Sequence, residues 1–259
     1  MPTNDFFLSV EETAMAMSIV GQPEEAHSLM AAQLGEMGQE EAHIRLLTAG
    51  HSLIARGYLS MDTEGNMHLA EPIAHVARAL SRADHTIRYS RSYRNVDLSL
   101  AFHFEKKGVF AHRIEQGVVH RITQVSSEEA VIQGGLDFFN LAEIHPFTCP
   151  ITEISQGLLD QIKDDPAYVV IHRRLTHARV PAETCDLLTE DLSNTQYRGS
   201  ILRVEYDENN APISDHGLLV LRGPERLWLL RPFVREGERY VTLLPGTEEA
   251  FRREIVTLL

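Results

Sequence analysis

The stretch Arg121–Val131, RITQVSSEEAV, returns in altered form at Arg239–Phe251, RYVTLLPGTEEAF. In each copy an apolar run of strand type meets a small hydroxyl residue and then Glu-Glu-Ala. Paired carboxylates favour the positive end of a helix dipole, and Ser or Thr ahead of them supplies a cap. Both copies therefore predict the same junction, a last strand running into a closing helix. Such junctions resemble one another in many proteins, so the repeat has to be judged from the order of whole elements around each copy.

Before the first copy the pattern is helical. Ser9 and Glu12 stand at capping-box spacing, Val10, Ala14, Met17 and Val20 follow at helical intervals, and Gly21 ends the run. Pro23 opens a second helix that reaches about Met37. A third spans roughly Gln39 to Arg56, with Ile44, Leu47, His51 and Ile54 expected along its inner stripe. A hairpin around Glu64-Gly65-Asn66 and a fourth helix with Pro72 in its first turn come next. From His85 the period falls to 2. In DLSLAFHF, Leu98, Leu100, Phe102 and Phe104 alternate with Ser99, Ala101 and His103, the pattern of a strand with one buried face. Turns at Lys106-Lys107-Gly108 and Glu115-Gln116-Gly117 divide His85 to Val125 into about four antiparallel strands. The helix from Ser126 is expected to end early at Gly134 and Gly135.

The second half repeats that order. Helices are predicted over about Ile151 to Ile162, Ala167 to Ala178 and Ala182 to Leu192, separated by KDDP and RVP. Strands follow near Gly199–Tyr206, Gly217–Leu221, Arg226–Arg231 and Arg239–Leu244, with turns at DENNAP, RGPE and REGE. TEEAFRREIVTLL closes the chain as a helix. The two series are offset by about 120 residues. The expected fold is thus mixed α+β and pseudo-two-fold: each half has a helical segment, a four-stranded antiparallel meander and a closing helix. The halves are taken as residues 1–140 and 141–259, forming one compact unit.

Composition narrows the function. The 259 residues are 43% hydrophobic, enough for one large core or two modest ones. No apolar run approaches the roughly 20 residues that a membrane helix needs, and the start lacks the pattern of a secretory signal. The sequence predicts a cytosolic protein without membrane insertion. Cys149 and Cys185 are too few for a disulfide framework and read as buried free thiols. The formal charge of −13 repels nucleic acid unless basic residues are segregated.

No spacing marks a catalytic, cofactor or metal site, so none is expected. His172 and His177 are five apart and do not share a helix face. His103, His112 and His120 could meet across neighbouring strands. Without an accompanying carboxylate motif or cysteine, they read as hydrogen-bonded sheet residues. Trp228 reads as a core residue. One patch stands out: from Arg78 to Arg121 there are nine Lys or Arg against four acids. Arg88, Arg91, Arg94, Lys106 and Lys107 fall on the first strands and their turn. They are candidates to dock an acidic partner segment, where charge mainly speeds and orients association.

The run LIARGYLSMDTEGNMHLAEPIAHVARALSRAD resembles the N-terminal signature of the EspG family, and GERYVTLLPGTEEAFRREIVTLL resembles its C-terminal end. The middle, Ile144 to Leu192, has no matching counterpart, and EKKG is short for the family's partner-contacting loop. The resemblance implies a cytosolic chaperone of a type VII (ESX) secretion system. Such a chaperone binds the helical tip of a secretion substrate, PE–PPE-like or WXG100-like, and keeps it soluble until export. The alternative from another class is a winged-helix DNA-binding regulator with a C-terminal ligand or dimerisation domain, since three helices and a hairpin occupy Ser9 to Leu69. Charge opposes it. Residues 1–60 hold only Arg45 and Arg56 against eight acids, and the helix that would enter the groove begins with Glu40 and Glu41.

Overall fold

The computed structural model describes residues 5–94, 96–165, 167–207 and 212–259. Pro166 of KDDP and Glu208–Ala211 of DENNAP, both expected in turns, lie outside the described residues. The first series of elements is β1 (Asp5–Ser9), α1 (Val10–Ile19), α2 (Pro23–Leu34), α3 (Gln39–Ala55), β2 (Leu59–Met61), β3 (Met67–Leu69), α4 (Glu71–Arg82), β4 (His85–Tyr93), β5 (Val96–Glu105), β6 (Gly108–Glu115), β7 (Val119–Val125) and α5 (Glu128–Phe138). The second is β8 (Thr152–Ser155), α6 (Gln156–Ile162), α7 (Tyr168–His177), α8 (Ala182–Ser193), β9 (Tyr197–Tyr206), β10 (Pro212–Arg222), β11 (Leu227–Arg235), β12 (Glu238–Pro245) and α9 (Glu248–Val256). The fold is mixed α+β, and the element order repeats as expected. The first series is longer by the hairpin β2–β3 and α4.

Each series also opens with a strand that the sequence pattern does not reveal. The run from Ile151 expected to be helical begins instead with β8, and β1 precedes the first predicted helix. Both strands are short, and each ends in a serine, Ser9 or Ser155, whose hydroxyl caps the following helix. Their strand identity comes from distant pairing. β1 lies antiparallel to β7, with Leu8 opposite His120, and β8 lies antiparallel to β12, with Ile154 opposite Val241. Each leading strand therefore pairs with the last strand of its own meander, a non-local contact that local periodicity cannot encode.

The chain divides into two compact units, the described residues up to Thr86 with Leu100–Ser127, and Ile87–Ser99 with Glu128–Leu259. In the first, the strand order is β1-β7-β6-β5. Leu8, Phe110 and Ile122 pack with Leu53 of α3 and Val76 and Ala79 of α4. Val10, Ala14 and Met17 of α1 meet Ala26 and Met30 of α2 and Ile73 of α4. The predicted capping box forms, with Glu12 N–H donating to Ser9 Oγ at 3.1 Å and Ser9 N–H to Glu12 Oε2 at 2.9 Å. The buried Glu12 carboxylate also accepts from Ser52 Oγ at 2.6 Å and Arg56 Nη1 at 2.8 Å. Burial alone pushes this carboxyl up; the hydrogen bonds from Ser52, the Ser9 N–H and Arg56 outweigh it, and the group lies below the usual range.

Two expectations fail in α3 and β5. Ile44, Leu47, His51 and Ile54 do not face inward: the three aliphatics are 56%, 49% and 43% exposed, and Ala49, Gly50 and Leu53 are buried instead. The small residues admit α1 at close range, since a Cβ on Gly50 would lie 3.4 Å from Met15 Cε, and the Glu12–Ser52–Arg56 network fixes that face. In β5, Leu100 and Phe102 are buried as predicted, but Leu98 is exposed and His103 is buried too.

The second unit has strand order β4-β9-β10-β11-β12-β8. Trp228, Leu230, Val241 and Leu243 form its floor under Ile162, Ile171, Leu175, Leu188 and Leu192 of α6–α8. Cys185 is buried and Cys149 half-buried, and both are free thiols. α5 runs through Gly134 and Gly135 rather than ending there. Gly135 is required, because a Cβ would come within 2.7 Å of the buried Tyr89 ring, whose hydroxyl donates to Val131 O at 3.2 Å. The two Glu-Glu-Ala helices, α5 and α9, are neighbours here: Glu129 pairs with Arg252 at 2.6 Å, and Phe139 meets Phe251 edge-on at 6.0 Å.

Candidate protein-binding surfaces

The five basic residues singled out from sequence are distributed over both units. Arg88, Arg91 and Arg94 belong to the second. Arg88 and Arg94 are exposed, and the half-buried Arg91 lies over the Phe138 ring at 5.1 Å and the Tyr197 ring at 5.4 Å. Arg91 is thus a packing residue as well as a charge. Arg94 occupies a left-handed turn position (φ 46°) and covers the Tyr93 ring at 5.0 Å. Lys106 and Lys107 are exposed on the β5–β6 turn of the first unit. Lys107 Nζ lies 3.5 Å from Glu71 Oε1 and 3.1 Å from His75 Nε2, so its charge is partly matched within the unit.

The three histidines do meet. His103, His112 and His120 stand on β5, β6 and β7 and form a row across the first unit's sheet. Thr86 Oγ1 is 3.1 Å from His103 Nδ1, His103 Nε2 is 3.4 Å from His112 Nδ1, His112 Nε2 is 2.9 Å from His120 Nδ1, and His120 Nε2 is 3.1 Å from Gln33 Oε1 on α2. With the Gln33 carbonyl as acceptor, one direction satisfies every step: each ring is neutral, donates from Nε2 and accepts at Nδ1, and Thr86 donates at the far end. Burial holds His120 neutral, with its pKa lowered to about 4. The rings run in line rather than around a point, and no group of His, Cys, Asp or Glu among the described residues could hold a metal. The row ties α2 to the strands.

Arg45 and Arg56, the only Lys or Arg in the first sixty residues, are both committed. Arg45 pairs with Glu11 and Glu41 at 3.1 and 3.0 Å, and Arg56 with Glu12. Nothing in this geometry supports the DNA-binding alternative. No helix among the described residues is long and apolar enough to cross a membrane.

A protein-family pattern described as uncharacterised protein YfjC matches residues 5–242. The chain belongs to the YfjC family. No curated protein sequence matches it. Among solved structures, this YfjC-family chain is similar to the Mycobacterium tuberculosis type VII secretion system chaperone EspG5, determined in complex with the PE25–PPE41 dimer. The TM-score is 0.70 at 12% identity, covering 98% of this chain and 95% of that one. The two share a fold over nearly their whole lengths, which is as far as the resemblance read from the sequence ends is met.

Sequence reasoning passed over Tyr93 and Val96 of the YfjC-family hairpin β4–β5 and expected Leu98 to be buried. Tyr93, Val96 and Leu98 are exposed on the same hairpin as Arg88 and Arg94 in the second unit, with Arg94 over the Tyr93 ring. The available signal was the placing of large apolar residues on both sides of a hairpin turn. Exposed apolar residues grouped in this way mark a candidate interaction site.

Proposed function

We propose that this YfjC-family protein is a chaperone-type binder of a helical secretion substrate and carries out no chemistry of its own. The observation that carries the reading is the fold shared with EspG5 across 98% of the chain, since that protein was solved holding the PE25–PPE41 dimer. The β4–β5 hairpin fits the role. Its exposed Tyr93, Val96 and Leu98 supply apolar contact, and Arg88 and Arg94 supply orientation toward an acidic helix end. Arg91 anchors the hairpin through the Phe138 and Tyr197 rings. Lys106 and Lys107 belong to the same reading as a supplementary charge on the other unit.

The test is co-purification from the native cytosol at low salt, followed by identification of the bound chain and reconstitution from purified components. A predominantly helical secretion substrate in stoichiometric complex supports the reading. A protein that comes through alone, or that selects duplex DNA in a sequence-dependent gel shift at submicromolar concentration, refutes it.

A further inference from the structure

The first unit carries a second unpartnered surface, independent of the hairpin and of the secretion reading. Ile44, Leu47, His51 and Ile54 on the solvent side of α3 are spaced by three, four and three residues, the a/d interval of a helix-packing seam. Ile44, Leu47, Thr48 and His51, all exposed, stand at i, i+3, i+4 and i+7, which is the outline of a hole that receives one side chain from a facing helix. α3 is already packed on its other side through Ala49, Gly50 and Leu53. It is the one helix among the described residues with three large aliphatic side chains open to solvent. The hairpin that follows it, β2–β3, presents Met61 and Met67 as an exposed cross-strand pair in the same unit. Methionines suit a surface that must adapt to a partner.

Charge indicates what kind of helix fits. The N-terminal end of the seam is flanked by the exposed Glu36, Glu40 and Glu41. Arg45 is already held by Glu41 and Glu11, and Glu36 and Glu40 have no ion pair among the described residues. A second copy of this chain would bring the same acidic flank, and like charges across an interface are unfavourable. We propose that the outer face of α3, with β2–β3 beside it, docks an amphipathic helix of another protein whose aliphatic seam is flanked by Lys or Arg. This partner is opposite in charge to the one the β4–β5 hairpin suits.

Two synthetic peptides of three heptads test this, both with leucine at a and d, one with Lys and the other with Glu at e and g. Each is titrated into the isotopically labelled full chain at low salt while backbone amide shifts are followed. The Lys peptide should move amides of α3 and β2–β3 and bind at least about tenfold more tightly than the Glu peptide. Leu47→Glu should weaken it by a further tenfold or more with an unchanged circular dichroism spectrum. Ile44→Ser serves as the second variant should Leu47→Glu unfold. Shifts elsewhere, equal binding of the two peptides, or binding indifferent to both substitutions overturn the proposal. So does a concentration-dependent dimer in sedimentation that Leu47→Glu dissolves, because the face would then belong to a second copy.

Discussion

The two series of elements share an order, yet the two units hold a helix to their strands by different means. In the first, Gln33 of α2 is held to β5, β6 and β7 by a row of hydrogen-bonded imidazoles. In the second, α8 is held by a buried charge: Asp191, wholly inaccessible, accepts from Arg226 Nε at 2.9 Å and Trp228 Nε1 at 2.7 Å. Gly223 makes room for that carboxylate, since a Cβ there would overlap Asp191 Oδ1. Burial pushes the Asp191 carboxyl up more than the bonds from Arg226 and Trp228 pull it down. A repeated topology therefore fixes where a helix lies against its strands without fixing the chemistry of the attachment, and the two attachments should respond differently to mutation and to acid.

The largest expected effect is in the second unit. Asp191→Ala removes the acceptor of Arg226 Nε and of the indole N–H of Trp228, leaving Arg226 only Glu190 as a partner, and should cost about 2–4 kcal/mol of stability. Urea unfolding followed by the single tryptophan measures it. A loss below about 1 kcal/mol would mean the ion pair is not what holds α8.

Acid should discriminate the units next. His120 has a folded pKa of about 4 against roughly 6.5 unfolded. A base with a depressed folded pKa stabilises the fold fully above the unfolded value, and that stability is lost as pH falls from about 6.5 toward 4. The loss is on the order of 3 kcal/mol. Glu12, held below its usual range, adds to the loss as pH drops through its own folded value. Asp191 has the opposite sign: its raised pKa means protonation relieves a burial penalty, so it gives the second unit no acid lability. Amide hydrogen exchange at pH 6.5 and 4.5 should show α2, β6 and β7 opening first. Uniform acceleration in both units would remove the distinction.

Smaller still is Gln33→Leu, which deprives the His120 N–H of its acceptor and should lower stability by about 1–3 kcal/mol. A melt at neutral pH, with imidazole nitrogen shifts recording the tautomers, checks it. Smallest is the pair Arg88→Glu and Arg94→Glu. Exposed charges of this kind alter stability by no more than about 0.5 kcal/mol, so the double variant should melt with the parent while its partner associates about tenfold more slowly.

Local signals carried much of this architecture. The Ser9–Glu12 box, Pro23, Pro72 and both Glu-Glu-Ala starts are short-range devices, and their helices begin where these residues stand. What escaped the sequence depended on distant partners. α3 is apolar on two sides, and the larger side chains suggested an inner face that packing gave to Ala49 and Gly50 because α1 comes close. β1 and β8 are strands only by virtue of β7 and β12. The approach of the histidines was legible from neighbouring strands, whereas Gln33 as their terminus was not. Asp191 had one faint cue, an acid three residues after Leu188 on a buried helical stripe. As for the candidate surface, the basic residues were visible and the exposed Tyr93, Val96 and Leu98 were not, because alternation alone does not tell a buried strand end from a projecting one.

The claim that this protein grips a helical partner through the second unit is tested most directly by hydrogen exchange on its reconstituted complex with the partner recovered from native extract. Protection on binding should centre on Ile87–Ser99, covering Arg88, Tyr93, Arg94, Val96 and Leu98, and should diminish in the Arg88→Glu/Arg94→Glu variant. Protection confined to α6, α7 and α8, with Ile87–Ser99 exchanging as in the free protein, would contradict it.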